Sequence, residues 1–275
     1  MINNSSFYKY GFEQLNDAIN FKAAKKFNNY LKKNFKVNSK IFINEKTFLS
    51  HKKKNIKFNQ KNILDLYNTD FVFKNELFNK KIEEIIGKKF EIQSKKVICG
   101  LPKKFYPKWI DKYKAKDVPN LTPYLKPKFR TLRFFLGTDF HQDFIDHPNE
   151  KANYITVYIY LDKVTKKLSP LKILPRTHLG GADIYPHKII KNKSNYIYKP
   201  INKRIIKTKA KHILGNAGTT WFWHTCLLHG TSHNTQSIPR YSIRLILKKK
   251  KGARGIIDLV NKKIPNIVAY NKMIR

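Results

Sequence analysis

Tyr154-Ile155-Thr156-Val157-Tyr158-Ile159-Tyr160-Leu161 is the stretch on which the fold turns. Successive side chains of an extended segment point to opposite sides. Val157, Ile159 and Leu161 therefore share one face, and Thr156, Tyr158 and Tyr160 share the other. A second segment repeats the arrangement, with Tyr241, Ile243, Leu245 and Leu247 opposing Arg240, Ser242 and Arg244. Strands with one apolar and one polar face suit a sandwich or barrel whose interior holds a polar site. Thr131 to Leu136, Pro170 to Leu174 and Thr219 to Trp223 are also β-rich and bounded by turn formers. From residue 131 onward the chain reads as a set of short strands.

The first third reads differently. Phe12, Leu15, Ile19, Ala23, Phe27 and Leu31 recur at helical spacing, which predicts an early helix with one stripe facing the core. Phe73, Leu77, Phe78, Ile82, Ile85 and Ile86 make a second stripe, and Gly87 stands where a helix end favours glycine. Glu91 to Cys99 reads as a strand. Both stripes are expected to be packing faces. Beyond Lys248 the basic tail still carries Ile256, Ile257, Leu259, Val260, Ile264 and Ile267, so it is expected to pack back on the body. No repeat, linker or composition break divides the chain. The expected organisation is one domain over residues 1–275, with a cover of helices and lead-in strands (1–130), a β core (131–247) and a basic C-terminal segment (248–275).

A chain of 275 residues buries roughly three-quarters of the surface it exposes when unfolded, enough for a core and an enclosed pocket. Hydrophobic residues make up 41%, which argues against wholesale disorder despite the charge. Cys99 and Cys226 provide no disulfide framework and no zinc spacing. The start lacks the pattern of a signal peptide, and no apolar run approaches the roughly 18 residues of a membrane span. A cytoplasmic location is the expectation. The net charge of +39, from 57 basic against 18 acidic residues, favours anionic partners. The lysines are dispersed, with short runs only at Lys52-Lys53-Lys54 and from Lys248 to Lys251. A dispersed coat implies solubility and weak attraction to anionic surfaces, whereas a specific nucleic-acid binder usually clusters its charge. No specific nucleic-acid motif is present, and the sequence is silent on oligomeric state.

The residues with chemistry form a split constellation. His141-Gln142-Asp143 is followed eighty-eight residues later by His229, and Arg240 lies eleven beyond that. Chance alone supplies roughly a third of one His-x-Asp triplet in this composition, so the pair is weak by itself. Its geometry is sound, because residues i and i+2 of an extended segment reach the same side. Two imidazoles and one carboxylate can occupy one face of an octahedral iron(II), leaving three positions for a chelating cosubstrate and dioxygen. An arginine shortly after the distal histidine is what such a site needs for the far carboxylate of 2-oxoglutarate.

Four segments occur in order: Phe140 to Asp143, Leu161 to Thr165, Pro170 to His178, and His229-Gly230-Thr231-Ser232-His233-Asn234 through Arg240. Together they resemble the phytanoyl-CoA dioxygenase family of iron(II)/2-oxoglutarate oxygenases, over about residues 130 to 247. The resemblance implies a mainly β fold with flanking α-helices, a double-stranded β-helix (jelly roll, cupin-like). It implies an Fe(2+) site of His141, Asp143 and His229. Arg240 would pair with the distal carboxylate of 2-oxoglutarate, Thr231 would hydrogen-bond the same carboxylate, and Tyr158 would wall its pocket. The resemblance implies a hydroxylase that oxidises an unactivated C–H bond of a small metabolite and releases succinate and CO2, and the positive charge suggests that this metabolite is anionic. Related halogenases replace the carboxylate with a small residue, so Asp143 argues against a bound halide.

The chain departs from the usual family pattern at Leu168-Ser169-Pro170 and Pro175-Arg176-Thr177-His178, which alters a turn and leaves the proposed ligands intact. Several neighbours compete for roles. His233 is the rival of His229, with the Arg240 spacing favouring His229. Arg244 shares a face with Arg240 and is the rival anchor. His224 is either a support for the site or packing, His178 reads as a structural turn histidine, and Asp146 and His147 read as a loop or as the substrate entrance. The alternative function is a catalytically inactive jelly roll that binds nucleic acid or another polyanion.

Overall fold

The computed structural model describes residues 5–54, 61–67, 70–114, 120–147, 149–201, 204–264 and 267–268. Helix α1 (Ser6–Tyr10) leads into strand β1 (Phe12–Leu15), and α2 (Phe21–Asn34), α3 (Glu45–Lys53), α4 (Ile63–Leu66) and α5 (Glu76–Ile86) follow. Strands then dominate: β2 (Phe90–Gly100), β3 (Arg133–Phe135), β4 (Thr138–His141), β5 (Tyr154–Tyr160), β6 (Leu171–Ile173), β7 (Ile189–Asn192), β8 (Asn195–Tyr198) and β9 (Ile206–Lys209). The remaining elements are β10 (Lys211–His212), β11 (Thr220–His224), β12 (His229–Thr231), β13 (Arg240–Lys249) and α6 (Ile256–Lys263).

Among the described residues the larger sheet runs β1-β11-β5-β13-β2-β3, and a smaller one runs β10-β6-β12-β4. Neighbours are antiparallel except for the β2–β3 pair. One cavity is lined from both sheets, by His141, Leu171, His229 and Thr231 on one side and by Ile98, Tyr158, Trp223 and Arg240 on the other. Two facing antiparallel sheets around a central site make a jelly roll with flanking helices. Strands β7, β8 and β9 form a separate antiparallel sheet.

The alternation in β5 sets the two sides of the larger sheet. Val157 and Ile159 join Phe222, Ile243, Leu245 and Leu247 in a core with Phe27 and Leu31 of α2 and Phe78, Ile82 and Ile85 of α5. Tyr158 and Tyr160 turn the other way, into a cluster with Trp221, Trp223, Ile98 and Leu171. The helices thus cover the outer face and the smaller sheet covers the inner one, leaving every residue of β5 buried.

The early amphipathic stripe divides. Phe12 and Leu15 belong to β1, where Phe12 lies opposite Trp223 of β11, while Ala23, Phe27 and Leu31 stand on α2. Steps of three and four residues mimic a helix here. Asp17, at φ 55°, and the cap at Asn20 break the chain between the two elements. The second stripe is α5, with Phe78, Ile82, Ile85 and Ile86 buried and Gly87 beyond its end at φ 87°. Leu77 departs from the expectation and is 58% exposed, and Phe73 precedes the helix while packing on Phe78. The strand expected from Thr131 starts later, because Pro127–Thr131 forms a 3-10 turn. At the C-terminal end Ile256, Ile257, Val260 and Ile264 are buried as expected, and residues 269–275 lie outside the described residues.

Abundant asparagine has a local use. The side chains of Asn20, Asn44, Asn62 and Asn75 each accept a backbone N–H in the first turn of α2, α3, α4 and α5. Such caps satisfy donors that a helix start otherwise leaves unbonded. Burial of the α5 stripe is directly testable. Ile82→Ala is expected to lower unfolding free energy by about 2–5 kcal/mol, and Leu77→Ala to change it by no more than about 0.5 kcal/mol. Urea unfolding followed by circular dichroism measures both, and equal losses would contradict this packing.

Candidate metal centre

Strands β4 and β12 pair antiparallel with His141 directly opposite His229, and their ring centroids are 4.4 Å apart. Asp143 opens a 3-10 turn (Asp143–Asp146) immediately after β4. Between them Gln142 points the other way and is buried. Its Nε2 donates to the carbonyls of Gly181 and Cys226, each at 2.8 Å, and its Oε1 accepts the Asp183 N–H at 3.2 Å. Gln142 thus pins the turn from behind while its two neighbours reach the cavity. One potential ligand atom from each of His141, Asp143 and His229 lies within 4.8 Å of the other two.

The hydrogen bonds fix which atoms are available. His141 Nδ1 is 2.8 Å from the Asp139 carbonyl oxygen, and His229 Nδ1 is 3.0 Å from that of Leu227. A carbonyl only accepts, so each Nδ1 carries a proton and each Nε2 is the ring nitrogen turned to the site, the arrangement seen in metal-binding histidines. His229 Nε2 stands 3.5 Å from Asp143 Oδ2. Burial, reinforced by His229, pushes the His141 imidazole down to about 3, so that it is neutral near neutral pH.

Asp143 is 2% exposed and ionised. Burial alone would raise its pKa, but Arg244 and the two histidines outweigh that and hold it well below the usual carboxylate range. Arg244 Nη2 donates to Oδ1 at 2.6 Å, while Thr156 Oγ1 at 2.5 Å and Trp223 Nε1 at 3.2 Å donate to Oδ2. A carboxylate with these donors keeps both its charge and its orientation. Two imidazole nitrogens and one carboxylate oxygen, all converging, are a donor set that suits iron(II).

The surrounding cavity measures about 510 Å³ and is lined by all six residues singled out in the sequence: His141, Asp143, His229, Arg240, Thr231 and Tyr158. Arg240 is buried at the start of β13, opposite Gly100 of β2. A β-carbon at Gly100 would stand 3.3 Å from Arg240 Nε, so glycine here makes room for the guanidinium. Arg240 Nη1 donates to Tyr158 Oη at 3.4 Å, and its buried Nε has no partner among the described residues. Thr231 Oγ1 accepts the Thr138 N–H at 3.2 Å.

The rival residues separate by position. Arg244 is committed to Asp143 through one nitrogen, at a different place on β13 from Arg240. His233 packs against Gly137 and does not line the cavity. His224 is buried away from the site, with Nε2 on Asn261 Oδ1 and Nδ1 accepting the Cys226 N–H, which is a packing role. His178 is buried in its 3-10 turn with its ring against Gly11, where a β-carbon would clash. His147 lines the cavity and stacks on Tyr154 at 4.5 Å, whereas the side chain of Asp146 lies outside the described residues. Sequence reasoning passed over Thr156 and Trp223 as supports of Asp143. It also passed over Lys96 and Arg133, which line the same cavity.

Comparison with known proteins places this geometry. The family model described as phytanoyl-CoA dioxygenase matches residues 122–242, a span that includes the three converging residues and Arg240. A curated relative, the probable alpha-ketoglutarate-dependent hypophosphite dioxygenase of Stutzerimonas stutzeri, is 26% identical over 108 residues. That match takes in 36% of this chain and spans only 35% of the relative's length. Among solved structures, the non-heme monooxygenase ThoJ aligns with TM-score 0.52 and 14% identity, covering 89% of this chain and 76% of its own. The epimerase SnoN, solved with Fe3+, alpha ketoglutarate and a nogalamycin compound, aligns with TM-score 0.52 and 11% identity, covering 94% and 88%. At these identities the structural likenesses speak for the fold. The sequence match makes residues 122–242 similar to the phytanoyl-CoA dioxygenase family, and the converging His-Asp-His set lies within that span.

Proposed function

We propose that this protein is an iron(II)- and 2-oxoglutarate-dependent oxygenase that hydroxylates an unactivated C–H bond of a small anionic metabolite. Substrate, dioxygen and 2-oxoglutarate become hydroxylated product, succinate and CO2, with one oxygen atom of dioxygen entering each of the first two. The observation that carries the reading is the convergence of His141, Asp143 and His229 within 4.8 Å, with Nδ1 of both imidazoles on a backbone carbonyl and Nε2 turned to the site. These three would hold the ion. Iron(II) bound there supplies the activation of dioxygen coupled to oxidative decarboxylation of 2-oxoglutarate.

The remaining roles belong to the chain. Arg240 offers a planar fork to the distal carboxylate of 2-oxoglutarate, a pairing that can be bidentate. Tyr158 steadies that fork, and Thr231 lines the same cavity as a further hydroxyl. Arg244, Thr156 and Trp223 keep Asp143 charged and aimed. Ile98, Phe135, Leu171 and Trp223 give the cavity an apolar wall that limits water. Asp143 stands where a halide would otherwise bind, in keeping with hydroxylation. An intact donor set joined to a cavity with a buried arginine supports catalysis over the polyanion-binding alternative. Among the described residues no helix is long and apolar enough to cross a membrane, and both cysteines are free and buried, which fits the cytoplasm. The name of the curated relative makes hypophosphite, an anion with P–H rather than C–H bonds, a compound to offer beside carbon-based anions.

Anaerobic titration with iron(II) and 2-oxoglutarate, followed by visible absorption, tests the core of the proposal. A weak charge-transfer band that requires both components is expected, absent in Asp143→Ala and needing at least about tenfold more 2-oxoglutarate in Arg240→Met. A folded protein with no band would refute the assignment. The support of Asp143 has its own test. Thr156→Val and Trp223→Phe are each expected to weaken cobalt(II) binding, measured calorimetrically, by about 10- to 100-fold. Unchanged affinity in both would mean that these donors do not serve the site.

A further inference from the structure

The sheet of β7, β8 and β9 has an outer face that the proposed chemistry does not use. Its inner face is packed, with Ile189, Tyr196, Tyr198 and Ile206 in one cluster with Leu174, Leu228 and Phe140. The rings of Tyr196 and Phe140 are 5.4 Å apart. Successive strand residues alternate between faces, so the neighbours of these inward residues point away from the body. The register sets them in rows. Ile190 lies opposite Ile197, which lies opposite Lys207, and Asn192 lies opposite Asn195, which lies opposite Lys209. Lys188 and Lys199 continue the face, the Lys199 N–H donating to the Lys188 carbonyl at 2.9 Å. Ile205, beside the inward Ile206, completes it.

Two features of this face occur together. Ile190 is 47% exposed and Ile205 49%, so apolar side chains stand in water. Lys188, Lys199, Lys207 and Lys209 are exposed around them. Among the described residues these four lysines enter no ion pair, and neither Asp nor Glu occurs from residue 184 through residue 257. Lysine on an open sheet ordinarily guards against strand addition. That role does not call for isoleucines on the same face. Apolar side chains set among cations suit an anionic bilayer, where lysines meet lipid phosphates and the isoleucines enter the boundary between headgroups and acyl chains. Single-stranded nucleic acid is held on aromatic platforms, and the rows of this face carry no Phe, Tyr or Trp. A nucleic-acid duplex would engage the lysines through its phosphates and leave the isoleucines wet.

We infer that the outer face of β7, β8 and β9 docks the protein on the surface of a membrane rich in anionic phospholipid, as a peripheral contact. The lysines draw the face to the charged surface, and the isoleucines distinguish a bilayer from other polyanions. The docking face goes beyond the oxygenase reading and stands apart from the metal centre. Phe140 beneath the sheet and His141 in the cavity are successive residues of β4, on opposite sides of the smaller sheet.

Flotation of the full chain with vesicles tests the assignment, using phosphatidylcholine alone and phosphatidylcholine mixed equally with phosphatidylglycerol. Binding is expected only to the mixed vesicles and is expected to weaken with added salt. Lys207→Gln with Lys209→Gln should lower the partition coefficient about fivefold per lysine, and Ile190→Ser with Ile205→Ser on the order of tenfold. The same charge removed from α3, which packs through Phe48 into the core beyond the larger sheet, is the control. Lys52→Gln with Lys53→Gln should change binding by less than about twofold, because screening confines the effect of a charge to its surroundings. All six substituted side chains are exposed, so folding is expected to survive and circular dichroism checks it. In the unaltered protein the mixed vesicles should shield Lys207 and Lys209 from acetylation more than Lys52 and Lys53, read by mass spectrometry. No binding to the mixed vesicles, equal losses from the two lysine pairs, no loss from the isoleucine substitutions, or equal acetylation at both places would overturn the docking face. Duplex DNA or RNA held through Lys207 and Lys209, indifferent to the isoleucine substitutions and without vesicle binding, would reassign the face to nucleic acid.

Discussion

A buried carboxylate holds the two sheets in register. Asp143 follows β4 of the smaller sheet, yet its donors come from β5, β11 and β13 of the larger one. Burying an ionised carboxylate is costly unless it is paired and hydrogen-bonded. Thr156, Trp223 and Arg244 meet that requirement together, and they do so only in one alignment of strands. Thr156 lies directly opposite Trp223 across β5 and β11 and opposite Ile246 across β5 and β13. A slip of one residue in any of these pairs would turn its donor to the outer face. The constraint that orients this candidate metal ligand is therefore also the one that fixes sheet register.

The outer face follows from the same alternation. With Thr156 and Tyr158 committed inward, Ile155, Val157 and Ile159 must face out, and only α2, α5 and the segments around them keep those residues from water. The β1 strand closes the free side of β11 and sets Phe12 beside Trp223. Helical cover and polar interior are thus two consequences of one period-two pattern.

That pattern was legible in the sequence because strand alternation is local: β5 and β13 read correctly residue by residue. The His141 and Asp143 pair stood out because residues i and i+2 of an extended segment reach one side, whereas Arg240 was singled out by resemblance, and all three line one cavity. Phe12 and Leu15 misled, since an edge strand followed by a helix produced the same three- and four-residue steps as one longer helix. Leu77 misled because stripe membership was read without the cap at Asn75 that fixes the phase of α5. Thr156 and Trp223 were hidden for a different reason. Their function depends on which strands are neighbours, and the order β11-β5-β13 is a long-range property. Lys96 carried a signal that could have been used, as a cation on the inward register of a strand whose next inward residue is Ile98.

Charge acts at two places in this molecule, and the two are physically separate. The coat that brings the total to +39 is solvated, and its ion pairs, such as Lys32 with Asp162, are largely exposed and of little energetic weight. Its field is screened over about 8 Å at physiological ionic strength, so it can speed the arrival of anions without selecting among them. Selection needs cations that have already been desolvated in a fixed geometry. Arg240, with Gly100 clearing its space, and Arg244, gripping Asp143 from a position opposite Lys96, meet that condition because strand pairing holds them there. An anion recognised inside the cavity is thus recognised by the register of β2 against β13, and the surface lysines determine only how often it arrives.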